Sequence, residues 1–193
     1  MLEDNTYREF RFEGGIPPSL FSQDTSGRVV SIGTFSKIIA PGVRIGWAAG
    51  HADVVRALAA VRGDLGASPW MAGVVADYAS SGKLDAHIRD IVPLYRAKRD
   101  RLVAALGEHC APHLRWRTPP GGFFVWVTLA DGIDPAKLAA AAEQEGVTYS
   151  GGHLYMADAS ARDSIRLSYS HLSLDDLERG AAALGRALAR CAS

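Results

Sequence analysis

Cysteine is scarce in this chain. Cys110 and Cys191 are the two present, too few for a disulfide framework and without the spacing of a zinc motif, which fits a reducing compartment. Charge of one sign is lacking as well: 21 lysines and arginines face 21 aspartates and glutamates. No electrostatic footprint therefore argues for nucleic acid or for an anionic membrane as a partner. No apolar run is long enough to span a bilayer, and the N-terminus lacks the basic and apolar segments of a signal peptide. A cytoplasmic protein is the expectation. The histidines His51, His87, His109, His113, His153 and His171 show no ligand spacing, so no metal is expected. The tryptophans Trp47, Trp70, Trp116 and Trp126 read as packing residues.

What is present is an ordinary globular composition, 193 residues of which 48% are hydrophobic and 22% charged. That is enough chain for one large domain or two small ones. "MLEDNTY" reads as the end of a strand, and "EGGIPPSLFSQDTSG" as a loop. "RVVSIGTF" and "VRIGWAAG" are β-branched and apolar and read as buried strands; their connection is too short for a crossover helix, which predicts an antiparallel pair. From His51 the period changes. "ADVVRALAAVRGDL" puts Val54, Val55, Leu58 and Val61 on one helical face. "SPWMAGVVADYASSG" has a serine cap, a proline at the first helical position and a terminal Gly82. "LDAHIRDIVPLYRAKRDRLVAALGEH" predicts a long amphipathic helix that Pro93 can kink.

The pattern then returns to strands. "LRWRTPPGGFFVWVTL" predicts two, broken at Pro119 to Gly122. A helix follows in "DPAKLAAAAEQEG", then short strands in "VTYS" and "SIRLSYS", and a last helix capped by Ser173. Alternating strands and helices without a repeat predict an α/β fold, with a change of unit in the long helix and division into residues 1–90 and 91–193. The chain begins inside a strand, and its first strands have too little around them to be covered on both faces. This predicts the C-terminal half of a larger protein, or one piece of a split one.

The segment that carries chemistry is "SIGTFSKIIAPGVRIGW". One short connection holds an amine, Lys37, two hydroxyls, Thr34 and Ser36, and a guanidinium, Arg44. Such a set can bind a phosphorylated carbonyl compound; the plain alternative is a solvated hairpin tip.

The spacing of that segment resembles the cofactor-lysine block of the class I/II aminotransferases, the fold-type I enzymes that use pyridoxal 5'-phosphate (PLP). Their pattern is Ser or Thr, two residues, the Schiff-base lysine, then P-G-x-R-x-G. Thr34, Lys37, Pro41, Gly42, Arg44 and Gly46 fall in place. "LEDNTYREFRFEG" resembles the family's D-x-x-Y strand end, "TPPGGFFVW" its P-x-G-G-x-F segment, and "SIRLSYS" the segment with the carboxylate-binding arginine. The blocks sit nearest to aminoadipate-type aminotransferases and to the aminotransferase-like domain of GntR-type regulators.

The resemblance implies that the chain is the C-terminal part of a fold-type I PLP-dependent transferase: the end of the large-domain mixed sheet plus the small α/β domain. It implies an aminotransferase, or part of one, moving an amino group between an amino acid and a 2-oxo acid through a Lys37 Schiff base. Lys37 would also carry the substrate's α-proton, and both jobs need an unprotonated nitrogen. Asp4 would hold the proton on the pyridine nitrogen, with Glu3 as its rival, and Tyr7 would hydrogen-bond the ring's 3'-oxygen. Thr34 and Arg44 would hold the phosphate. Ser36 would add a contact only if the strand continues far enough to put it on the side of Thr34. Gly42 and Gly46 would let the backbone pass close to the cofactor.

Arg166 would receive the substrate carboxylate. The alternative for Arg166 is a salt bridge to Asp158 or Asp163. A homodimer is implied, and a missing N-terminal half would bring the glycine turn that cradles the phosphate, the ring-stacking aromatic and an asparagine near the 3'-oxygen. Two other functions stay open: an effector-sensing regulator domain that keeps the lysine without turnover, or a different PLP reaction such as decarboxylase, lyase or synthase chemistry.

Overall fold

The computed structural model describes residues 1–63, 66–158 and 160–192. They form two compact units, Met1–Val92 and Pro93–Ser193. In the first, β1 (Leu2–Asp4), β2 (Val30–Thr34) and β3 (Gly46–Ala49) make a sheet in the order β1-β2-β3. β1 runs parallel to β2, with Asp4 opposite Ile32, and β2 runs antiparallel to β3, with Thr34 opposite Gly46. The antiparallel pair is the one the short connection predicts.

Two details differ from the sequence reading. The apolar run "VRIGWAAG" is not a strand from its start: Pro41–Val43 form a 3-10 turn, Arg44 is left-handed, and pairing begins at Gly46. Nor is β3 buried. It is the sheet's edge and Gly46 to Ala48 are exposed, because among the described residues of this unit no further strand pairs with it. Trp47 lies across Gly33, where an added Cβ would meet its ring at 2.4 Å.

The segment read as a loop contains a short helix, α1 (Leu20–Gln23). Ser19 caps it, and the Glu3 carboxylate accepts from the N–H groups of Leu20 (2.7 Å) and Phe21 (3.3 Å). α2 (Ala52–Ala60) forms on the predicted face, yet none of its residues is buried and Val61, just past its end, is 79% exposed. Asp64 and Leu65, in the predicted tail of that helix, lie outside the described residues. α3 (Pro69–Ser80) starts at the Ser68 cap with Pro69 in its first turn. Trp70 does not pack as expected: it is 74% exposed. Gly82, at φ +76°, turns the chain into α4 (Lys83–His109), which stays helical through Pro93.

The second unit is closed around its own core. β4 (Leu114–Trp116), β5 (Phe124–Leu129), β6 (Ser150–Gly151) and β7 (Ser164–Ser168) form an antiparallel sheet in the order β4-β5-β7-β6. Burial alternates along β5, so Val125, Val127 and Leu129 face inward with Ile165 and Leu167 of β7. Leu102 and Leu106 of α4, Leu138 and Ala142 of α5 (Pro135–Gln144), and Leu184 and Leu188 of α6 (Leu174–Cys191) complete that core. The strand expected over "VTYS" pairs only at Ser150 and Gly151.

α6 approaches α4 closely: a Cβ at Gly185 would sit 2.3 Å from the His109 carbonyl oxygen. The Cys110 thiol donates to Ala181 O at 3.4 Å, and burial pushes its pKa up to about 12. Arg99, 3% exposed, donates to Pro119 O at 2.8 Å and pairs with Asp100, while the Tyr169 hydroxyl donates to Gly122 O at 2.6 Å. These contacts fix the Pro-Pro-Gly-Gly connection that leads into β5.

Candidate active site

In the first unit the expected residues gather at one end of the sheet. β1 and β2 are parallel, so their C-terminal ends lie side by side, where open α/β sheets bind ligands. Asp4 ends β1, Thr34 ends β2, and Ser36, Lys37 and Arg44 lie on the connection from β2 to β3. Tyr7 follows in the turn after β1, which is tied both to β2 and to itself. Asn5 N–H donates to Ile32 O (2.9 Å), Asn5 Nδ2 to Ser31 Oγ (2.7 Å) and Phe10 N–H to Tyr7 O (3.0 Å), and Phe10 is fully buried beneath it.

Asp4 is exposed, and its carboxylate accepts from Thr6 N–H at 2.9 Å. The Thr6 hydroxyl and N–H hold its pKa below the usual carboxylate range, so it is an anion at neutral pH. Glu3, the rival, points elsewhere: its two oxygens are taken by the start of α1.

The lysine turn is anchored at both sides. Phe35 N–H donates to Ile45 O (3.0 Å) and Ile39 N–H to Phe35 O (2.8 Å), while Ile38 and Ile45 are buried. Lys37 therefore sits half-buried on a turn held by its neighbours. Arg44 is exposed at φ 51°, ψ 34°, a left-handed backbone that costs a residue with a Cβ about 1–2 kcal/mol. Its Nη1 reaches only Pro41 O, at 3.4 Å. Among the described residues neither Lys37 nor Arg44 has a carboxylate partner.

Thr34 is more committed than its sequence suggests. Its hydroxyl donates to Ile45 O at 3.2 Å and accepts from Ser36 N–H at 3.1 Å, so it must turn from that carbonyl to donate to an anion. The strand stops at Thr34, so alternation does not put Ser36 on its side. The two glycines also part company. A Cβ at Gly46 would meet Gly33 O at 3.1 Å, whereas Gly42 has open space around it.

Arg166 belongs to the second unit, on β7. Its sequence suggested a partner in Asp158 or Asp163, but Asp158 accepts from Ser160 N–H and Asp163 from Ser164 Oγ. The guanidinium instead packs on rings: its carbon lies 3.8 Å from the centroid of Phe124 and 4.1 Å from that of Tyr155. Sequence reasoning missed both. Phe124 was within reach, since it shares a face of β5 with Trp126, but that needs the β5–β7 register. Tyr155 carries no sequence signal at all.

The Aminotransferase class I and II family model matches residues 1–184. This chain belongs to that family. An aromatic-amino-acid aminotransferase of Thermococcus litoralis is 35% identical over 182 residues, covering 93% of this chain and 44% of that protein. The HTH-type transcriptional regulator YisV of Bacillus subtilis is also 35% identical, over 185 residues, covering 93% of this chain and 37% of its own length. Among solved structures, the α-aminoadipate aminotransferase LysN of Thermus thermophilus, complexed with N-(5'-phosphopyridoxyl)-L-leucine, is 28% identical. It superposes with a TM-score of 0.93 over 99% of this chain and 50% of that one. The chain thus spans about half the length of the proteins it matches, and its α/β fold is that of the fold-type I aminotransferases.

The donor set at the sheet end fits a phosphorylated pyridine aldehyde. An anionic carboxylate, a phenol, an amine and a guanidinium without a carboxylate partner match, in turn, a ring nitrogen, a ring oxygen, an aldehyde and a phosphate. Among the described residues no helix is long and apolar enough to cross a membrane.

Proposed function

We propose that this chain is part of a PLP-dependent amino-acid aminotransferase, exchanging an amino group between an amino acid and a 2-oxo acid. The observation that carries the reading is the sheet end itself: two cations without carboxylate partners among the described residues, Lys37 and Arg44, on one anchored connection at the same end of the sheet as the anionic Asp4. When bound, PLP supplies an aldehyde that takes the amino group and a ring that accepts electrons.

The chain's own residues do the rest. Arg44 would grip the phosphate with charge-assisted bonds, helped by Thr34 once its hydroxyl leaves Ile45 O. Asp4 would keep a proton on the pyridine nitrogen, and Tyr7 would donate to the 3'-oxygen. Lys37 would tether the cofactor, and its Nζ, once released, would take and return the substrate's α-proton. Arg166 would receive the substrate carboxylate. In this reading Met1–Val92 is the end of a large cofactor-binding domain and Pro93–Ser193 a small domain. The remaining walls of the site come from a complementary half and from a second copy.

The test is borohydride reduction after incubation with PLP, followed by peptide mass mapping. The label is expected on Lys37 and not on Lys83, Lys98 or Lys137. Lys37→Ala should abolish both label and turnover in the chain joined to its complementary half. Labelling that survives this substitution would sink the assignment.

A second reading is favoured by the likeness to the HTH-type regulator YisV: an effector-sensing domain that holds PLP on Lys37 without turnover. Labelling of Lys37 with no amino transfer to any 2-oxo acid would select it. Release of carbon dioxide or of a cleaved side chain would select a decarboxylase or lyase instead.

A further inference from the structure

Arg166 is held by aromatic rings that arrive from both sides of its strand. On one side is β5, where Trp126 is its register partner and Phe124 lies two residues away on the same face. On the other is β6, where Ser150 is its partner. The chain leaves β6 through the 3-10 turn Gly152–Tyr155. Gly152 seats that turn, because a Cβ there would meet Ala161 O at 2.7 Å and Ser164 Cβ at 2.9 Å. Tyr155, carried at its end, also stands edge-on to Trp126 with centroids 6.1 Å apart. Arg166 is only partly buried and borders an open groove with Phe124, Ser168 and His171, so the side chain is reachable from solvent.

Rings stacked on a guanidinium cover its faces and leave its in-plane N–H edge open. They also remove in advance the rotamer freedom that a long side chain otherwise loses when it binds. We propose that Phe124 and Tyr155 are positioning residues for Arg166, holding its guanidinium in one plane so that it meets a carboxylate edge-on through two N–H groups. This rests on the reading of Arg166 as the carboxylate receiver. The Tyr155 hydroxyl has no part in it; the ring alone is required.

The experiment uses the full chain labelled with ¹⁵N-arginine and ¹⁵N-tryptophan. The Arg166 Nε–H signal, assigned by its loss in Arg166→Lys, should be displaced by ring currents. Phe124→Leu and Tyr155→Leu should each move it toward the position of an ordinary arginine, while Tyr155→Phe leaves it in place. The probe is 3-phenylpropanoate, a carboxylate that cannot transaminate, titrated on the Trp126 indole N–H signal. Each leucine variant should weaken the probe about two- to fivefold, Tyr155→Phe should bind as the parent does, and Arg166→Ala should not bind.

Leucine variants that bind as tightly as the parent, while Arg166→Ala does not bind, would overturn the positioning role and leave the reading of Arg166 standing. A parent chain that ignores the probe, or an Arg166→Ala variant that binds it normally, would overturn both. Should Phe124→Leu disturb the sheet, Tyr155→Leu decides alone, because Tyr155 is 42% exposed on a turn.

Discussion

Met1–Val92 and Pro93–Ser193 are built from the same kinds of segment, capped helices and short apolar strands, yet they bury them differently. The second unit closes its sheet with α4, α5 and α6, so that Val125, Val127, Leu138, Ile165, Leu184 and Leu188 are nearly or wholly inaccessible. The core of the first is Phe10, Val29, Ile38, Ile45, Val75 and Leu84, while Leu2, Trp47, Leu58, Val61 and Trp70 stay exposed. An apolar face in the sequence says which side of an element is made for burial. It does not say whether the same chain provides the cover. The first unit holds its candidate site by local turns and anchor residues, the second by a packed core.

The largest expected consequence is in hydrogen exchange on the intact chain. Amides of β5, β7 and α6 should exchange at least about a hundredfold more slowly than those of β3 and α2. Equal protection in the two units would break the comparison.

Core truncation should separate them next. Leu188→Ala in α6 removes a fully buried side chain and should cost about 2–5 kcal/mol in denaturant unfolding. Leu58→Ala, on the exposed face of α2, should change stability by less than about 0.5 kcal/mol.

A paired glycine test sharpens the packing claim within the second unit. Gly185→Ala drives a Cβ into the His109 carbonyl and should cost about 1–3 kcal/mol. Gly180→Ala, one and a half turns earlier on α6 with nothing within 4 Å, should stabilise the helix by about 0.5–1 kcal/mol.

The smallest effect belongs to the first unit's local order. The Asp24 carboxylate accepts from the Ser26 hydroxyl, Val29 N–H and Ser26 N–H just before β2, which lowers its pKa to about 2 from 3.8. A carboxylate depressed on folding stabilises fully above its unfolded pKa and loses that contribution as pH falls through the folded one. The turn should therefore loosen between pH 3.8 and about 2, read as faster exchange at Val29 N–H. Asp24→Asn should abolish that pH dependence. A turn indifferent to acid in the parent chain would show that these bonds do not order it.

Much of the fold was legible because its causes are local. Ser68, Asp134 and Ser173 each accept from the first turn of the helix they precede. Gly82 and Gly146 take the positive φ that ends a helix. The strand over Phe124 to Leu129 was readable from its composition, though not which of its two apolar faces is buried. The lysine connection was readable too, since its residues are close in sequence.

Failures came where distance along the chain mattered. "VTYS" has strand composition but pairs only at its last residue, Ser150, since pairing depends on what lies beside it. The alternative partners considered for Arg166, Asp158 and Asp163, accept instead from Ser160 and Ser164, and the rings of Phe124 and Tyr155 that do meet it lie farther from it in sequence.

The sequence by itself determined the longer helices and the caps at Ser68, Asp134 and Ser173, the antiparallel turn from β2 to β3, the loop that carries Thr34, Ser36, Lys37 and Arg44, and the likeness to the aminotransferases. Hydrogen bonds and periodicity that set these act over a few residues. Only the tertiary structure decided that Glu3 serves α1 and leaves Asp4 at the sheet end, that the Thr34 hydroxyl is turned to Ile45, and that β3 stays open. It alone placed Arg166 against Phe124 and Tyr155. Those outcomes depend on where distant segments return to meet, and a ring or a carbonyl from elsewhere in the chain competes for each polar group on equal physical terms with its neighbours in sequence.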